Sequence, residues 1–307
     1  METWDATVAV PASCRLGESP WWDAQRERLV WVDIPEGLVH AHEPSTGAMS
    51  TSQLDDAVGF AVGRKGGGFV AGTAAGLVEL DDDLRPTGPV DAPPDLDEHR
   101  RINDGACDPH GRVLLGTVDR SAERTGTLWS RGLDGAFEAL AIDVGMSNGL
   151  AFSPDGGHLY YVDTTTQQVD RFDYNPVTGR ASRRSPFCRV AASVGLPDGL
   201  AVDAVGCVWV AIWGAGEVWR LSPEGERIGT AHVPASRTTC CAFGGTRRNR
   251  LYVTTASEGG DDREVDRDGA PGAVFAVEVG VRGARVFPAA ARAAAVNGSL
   301  QATRNGE

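Results

Sequence analysis

The chain is predicted to fold as an all-β, six-bladed β-propeller. Three observations predict it: one motif returns six times at near-constant spacing, short strand-like runs follow each copy, and no long helical periodicity interrupts them. The clearest copy reads Asn148-Gly149-Leu150-Ala151-Phe152-Ser153-Pro154-Asp155-Gly156. It returns as Asp198-Gly199-Leu200-Ala201-Val202-Asp203 and, more loosely, as Asp104-Gly105-Ala106-Cys107-Asp108-Pro109-His110-Gly111. Aligned on a small landmark residue, the copies fall at Ser19, Gly59, Gly105, Gly149, Gly199 and Cys240, at intervals of 40, 46, 44, 50 and 41 residues. Glycine, at 39 of 307 residues, suits the many tight turns such a fold needs.

Each landmark segment is followed by a turn and a second strand rich in β-branched and aromatic residues: 28–33, 68–73, 113–117, 158–163, 207–211 and 250–254. A third strand follows in most copies, as at 126–130 and 216–221. The N-terminal segment Trp4–Val10 is expected to complete the last blade by pairing with the C-terminal region, which removes two sheet edges. Residues 258–272, with Asp261, Asp262, Glu264, Asp266 and Asp268, read as a solvated loop. The loop imitates a calcium-binding loop, but Phe275 stands where a bidentate Glu is needed. Helical periodicity is absent until Ala289–Ala295, and the small polar tail 296–307 is expected to fray. Residues 1–307 therefore read as a single domain.

Bulk properties exclude several classes. A formal net charge of −13 argues against wrapping a nucleic-acid backbone. No apolar run approaches the roughly 20 residues of a membrane helix. The segment Met1–Asp5 lacks the basic and apolar regions of a secretory signal, so a cytoplasmic protein is expected. Six cysteines form no C-x-x-C pair and no zinc-ribbon spacing, and read as reduced thiols, with Cys240 and Cys241 on opposite faces of a strand. Nothing in the sequence fixes the oligomeric state.

In a propeller the innermost strand of each blade lines the central channel, so the residue before each landmark stands near the channel mouth. These residues are Glu18, Val58, Asp104, Asn148, Asp198 and Thr239. Four carry carboxylate or amide oxygens, and three of those are carboxylates. Gathered carboxylates are costly unless a cation neutralises them, and an all-oxygen donor set favours a hard divalent ion. Asp104 is one candidate of this register. Gly145-Met146-Ser147-Asn148-Gly149 spells G-x-S-x-G, but a nucleophile elbow needs a helix after the turn, and here the pattern continues as strand, turn, strand. His40-x-His42 puts two rings on one strand face with no third ligand nearby and reads as an ordinary blade strand. Trp209 and Trp219 read as blade core, and Trp213, in the loop 212–216, as a roof over the substrate pocket.

Four segments, Gly17-Glu18-Ser19-Pro20, Arg101-Ile102-Asn103-Asp104-Gly105, Ser147-Asn148-Gly149-Leu150 and Pro197-Asp198-Gly199-Leu200, occur in order over residues 14 to about 260. Together with Thr238–Gly245 they make the chain resemble the senescence-marker-protein/gluconolactonase/luciferin-regenerating family, the regucalcin-like proteins. The resemblance implies one divalent metal ion held by Glu18, Asn148 and Asp198, with Ca²⁺ favoured and Zn²⁺, Mn²⁺ or Mg²⁺ as alternatives. It implies Asp198 as general base, Arg101 and Asn103 as substrate-binding residues, and Asp104 beside the metal's waters. The implied reaction is hydrolysis of a sugar lactone. Hydrolysis of another ester or organophosphate, or a calcium-binding regulatory role, are the alternatives. Where relatives carry a pocket Glu downstream of the Arg, this chain has Ser121, with Glu123 nearby.

Overall fold

The computed structural model describes residues 1–88, 91–121, 124–258 and 269–291. Six antiparallel-built sheets surround one axis, one for each sequence repeat. Their inner strands are Gly17–Asp23, Val58–Gly63, Arg100–Cys107, Ser147–Phe152, Leu196–Val202 and Thr238–Gly244. Each packs against the next, and the sixth returns to the first. Blades are numbered 1 to 6 in this order.

The apolar core is divided. Among the described residues six buried clusters each fill one gap between neighbouring blades. The gap between blades 5 and 6, for example, holds Trp209, Ala211 and Val218 against Cys241, Phe243 and Val253. Trp209 and Trp219 are both buried in such gaps, as expected. The second strands, such as Arg28–Asp33 and His158–Asp163, are covered on both faces and read as near-continuous apolar runs for that reason.

The small landmark residue has a packing cause. A Cβ on Gly149 would lie 2.6 Å from the Asp198 carbonyl oxygen of the next blade. On Gly199 it would collide with the Cys240 sulfur. Inner strands can therefore approach each other closely only where no side chain stands between them.

Closure is more elaborate than Trp4–Val10 pairing with one blade. The segment divides at Ala6. Thr7–Val10 is the outer strand of blade 6, antiparallel to Val274–Glu278, as expected. Glu2–Asp5 instead pairs in parallel with Arg227–His232 and makes a fifth strand on blade 5. Among the described residues blade 2 has three strands.

At the other end of the chain, residues 281–290 form a strap. It bonds blade 5 through Ala284 N–H to the Val202 carbonyl, blade 2 through Ala289 N–H to Gly63, and blade 3 through Ala290 N–H to Gly111. These anchors lie at the C-terminal ends of inner strands, so the strap crosses the channel at the end remote from the landmarks. The lumen between is ≈ 110 Å³, with Leu150, Leu200, Ala242 and Phe243 on its walls and Ala284–Phe287 at its foot. The helical pattern expected at Ala289–Ala295 is not present over 289–291. Its remainder, the tail 296–307 and the acidic loop 259–268 lie outside the described residues.

Candidate active site at the channel mouth

Every inner strand carries a β-bulge at its landmark. The register shifts fall at Glu18/Trp21, Val58/Phe60, Ile102/Asp104, Ser147/Leu150, Pro197/Leu200 and Thr238/Cys240. A bulge breaks the alternation of side chains and re-aims one of them. Six bulges at one level turn six side chains toward the axis. In blade 1 Ser19 adopts a left-handed φ of 48°, a strained conformation for a residue with a Cβ, and its N–H donates to Glu18 Oε2 at 2.9 Å.

The bulge in blade 3 decides where Asn103 and Asp104 stand. Strict alternation would let only one of Asn103 and Asp104 face the channel. Both are buried at the mouth, because the ladder slips between Ile102 and Asp104. Asn103 Nδ2 donates to the Ser147 carbonyl at 2.6 Å and to Asn148 Oδ1 at 2.7 Å. Its amide hydrogens thus fix Asn148, and its own Oδ1 is left for a ligand. Asn148 Nδ2 donates to Thr164 Oγ1 at 2.8 Å, which donates to the Pro197 carbonyl at 2.9 Å. This chain spans blades 3, 4 and 5 and sets the Asn148 amide so that its oxygen keeps one lone pair free.

Glu18, Asp104 and Asp198 meet in a poor environment for charge. All three are buried above an apolar lumen, and burial pushes each carboxyl above its ordinary range. After burial the charge of Asp198, then of Asp104, raises Glu18 further, while the Arg101 guanidinium pulls it back. Asp104 does the same to Asp198. Among the described residues Asp198 Oδ1 is buried without a hydrogen-bond partner. Such an orphaned oxygen among competing carboxylates fits a cation. Among the described residues no three His, Cys, Asp or Glu side chains form a metal-binding cluster by themselves. Glu18, Asn148 and Asp198 would together offer a mixed donor set, two carboxylates and an amide.

Arg101 reaches the same site. Burial first, then the charge of Arg120, lowers its guanidinium to about 10, and Glu18 acts in the opposite sense. Trp213 ends the strand Val208–Trp213, half-buried, opposite Leu196 and bridged to Arg237. Its cross-strand partner Leu196 lies two residues before Asp198 on the inner strand of blade 5. Ser121 turns away, its hydroxyl bonded to Asp119 at 2.6 Å. Glu123 lies outside the described residues.

The G-x-S-x-G serine is not exposed. Ser147 is fully buried, accepts a bond from Tyr161 at 3.0 Å, and is followed by strand. His40 stacks on Trp31 at 5.1 Å and bonds Thr51, an ordinary blade contact. Sequence reasoning missed Thr164, Arg120 and Cys240. The Cys240 thiol stands among the carboxylates, which, after burial, push it well up. Only Thr164 had a readable signal, the turn-forming run Asp163-Thr164-Thr165-Thr166.

Comparison with known proteins gives a consistent picture. The sequence model described as "SMP-30/Gluconolactonase/LRE-like region" matches residues 16–257. The chain is 34% identical over 287 residues to pentonolactonase XacC of Haloferax volcanii, covering 92% of this chain and 97% of that protein. It is 36% identical over 288 residues to a 6-deoxy-6-sulfogluconolactonase of Pseudomonas putida, covering 92% and 97%. Among solved structures, a calcium-binding protein, regucalcin, from Agrobacterium tumefaciens superposes with a TM-score of 0.86 at 27% identity, covering 95% of this chain and all of that one.

Proposed function

The chain belongs to the SMP-30/gluconolactonase/LRE-like family, and we propose that it is a metal-dependent lactonase that opens a sugar lactone. One observation carries the reading: burial raises the proton affinity of Glu18, Asp104 and Asp198, neighbouring carboxylates raise Glu18 and Asp198 further, and among the described residues Asp198 Oδ1 has no partner. The relatives' names support the reaction class, since they describe lactonases and a calcium-binding protein.

Glu18, Asn148 and Asp198 would hold the ion, with Ca²⁺ favoured by the oxygen donors. When bound, it supplies Lewis-acid polarisation of the lactone carbonyl and a positive charge where negative charge develops. The residues do the rest. Arg101 and the Asn103 oxygen bind ring hydroxyls and present the carbonyl carbon to one water. Asp198 takes the proton from that water as its oxygen bonds to the carbonyl carbon. The bond from that carbon to the ring oxygen then breaks, and the same proton passes to the departing oxygen. An aldonic acid results. Asp104 stays close to both carboxylates and tunes their charge. Trp213 covers one flank and limits access of water.

The test is proton release from a panel of five- and six-membered sugar lactones, with spontaneous hydrolysis subtracted. Chelator-stripped protein is compared with protein reloaded with Ca²⁺, Mn²⁺, Mg²⁺ or Zn²⁺. Metal-restored hydrolysis of one lactone is the expected result. A background rate with every ion and lactone would overturn the proposal.

A further inference from the structure

We propose that the lactone opened here carries an anionic substituent, a phosphate, sulfonate or carboxylate, on the part of the ring remote from the carbonyl, held between Arg101 and Arg120. The inference rests on the lactonase reading above and names the substrate class for that site.

The geometry comes from the ladder of blade 3. Arg101 pairs with Val118 and Arg100 with Asp119, and the next pair is closed by Arg120 N–H to the His99 carbonyl at 2.8 Å. Directly opposed residues share a sheet face and neighbours alternate, so Arg101 and Arg120 are diagonal neighbours on one face. Arg100, Asp119 and the Ser121 hydroxyl bonded to it lie on the other. Arg101 is close enough to Glu18 for each to influence the other, which directs this face toward the channel mouth. The charge of Arg120 also bears on Arg101.

Among the described residues the aspartates nearby are already engaged. Asp119 accepts from Ser121 and Thr125, Asp97 pairs with Arg100 at 2.6 Å, and Asp95 accepts from Thr117 and Trp129. Among the described residues Arg120 makes no ion pair, and Arg101 has only a 3.4 Å bond to the Ile102 carbonyl. Two arginines turned to one space are self-repelling unless an anion is shared between them, and the planar guanidinium fork matches an oxyanion. A protein of net charge −13 repels anionic ligands in general, so two cations at the mouth are a local exception to its field.

The experiment uses ring analogues that cannot be hydrolysed: 1,5-anhydroglucitol, its 6-phosphate, its 6-sulfate and the corresponding 6-carboxylate. Affinities are measured calorimetrically on Ca²⁺-loaded protein at low ionic strength, for wild type, Arg120→Ala and Arg120→Lys. The expected result is that at least one anionic analogue binds about tenfold or more tighter than the neutral one. That ratio should fall toward one in Arg120→Ala and recover in part in Arg120→Lys. The arm with the largest ratio identifies the anion. Equal affinity for all four analogues, absence of binding by any of them, or a ratio unchanged in Arg120→Ala would each overturn the inference. Because no turnover is needed, failure of the lactonase reading shows separately, as absent hydrolysis in the proton-release assay.

Discussion

Replacing Asp104 by Asn should stabilise the metal-free protein, and by an amount that depends on pH. Burial pushes the Asp104 carboxyl from its ordinary 3.8 to about 7. At about 1.4 kcal/mol per pH unit, the ionised form costs the folded state about 4 kcal/mol once pH exceeds the folded value. Below about pH 4 both folded and unfolded chains hold the proton, and the substitution should be silent. Between about 4 and 7 the unfolded chain has lost a proton that the folded protein keeps, so wild-type stability falls as pH rises. Above about 7 the full difference is present. The one bond at stake is from Gly105 N–H to Asp104 Oδ1 at 2.7 Å, which an Asn oxygen can still accept. For a chain of this size about 4 kcal/mol corresponds to roughly 8 °C in Tm. Differential scanning calorimetry in chelator at pH 4 and pH 8 would measure it, and added Ca²⁺ should narrow the gap by offsetting the same charge. A variant that melts below wild type at pH 8, or shifts equally at both pH values, would refute the reasoning.

Further expectations concern the same site. Asp198→Asn should lower lactone hydrolysis by about 10²–10⁴-fold, read as kcat by proton release, because it removes the base and the negative charge of one ligand. Ca²⁺ at about 100 times its Kd should raise wild-type stability by about 2.7 kcal/mol in thermal melts, and Asp198→Asn should lose most of that gain. Ser147→Ala should retain hydrolysis while losing about 1 kcal/mol with the Tyr161 bond; loss of turnover without unfolding would revive the serine as nucleophile. Gly199→Ala should cost about 1–3 kcal/mol in a urea melt, since its new methyl meets the Cys240 sulfur across the blade junction.

The blade count was readable because one motif repeats, and the reason it repeats is steric. Gly59, Gly149 and Gly199 leave no side chain where the next inner strand passes, so the requirement recurs at three junctions, whereas Ser19 and Cys240 carry side chains at the same register. Glu18, Asn148 and Asp198 were readable because the repeat fixes their register. The bulges were not, since an extra residue in a strand leaves no mark in composition or period. The slip between Ile102 and Asp104, which buries Asn103 and Asp104 together, is therefore seen only in the structure. The division at Ala6 was hidden for a different reason: pairing partners for a four-residue strand are chosen by tertiary contacts, here with Arg227–His232 and Val274–Glu278. Arg120 carried no local signal, because an arginine after a strand is usually only a solvated end.

The strap from residue 281 to 290 changes what kind of vessel the propeller is. With Ala284–Phe287 lying across its foot, the ring is a cup rather than a tube. Among the described residues Ala284–Phe287 stand in the way of a second exit, so reactant and product share one doorway. Turnover then obeys strict alternation: the opened acid must leave before the next lactone can arrive. The acid product should accordingly compete with its own precursor, raising the apparent KM and leaving kcat untouched.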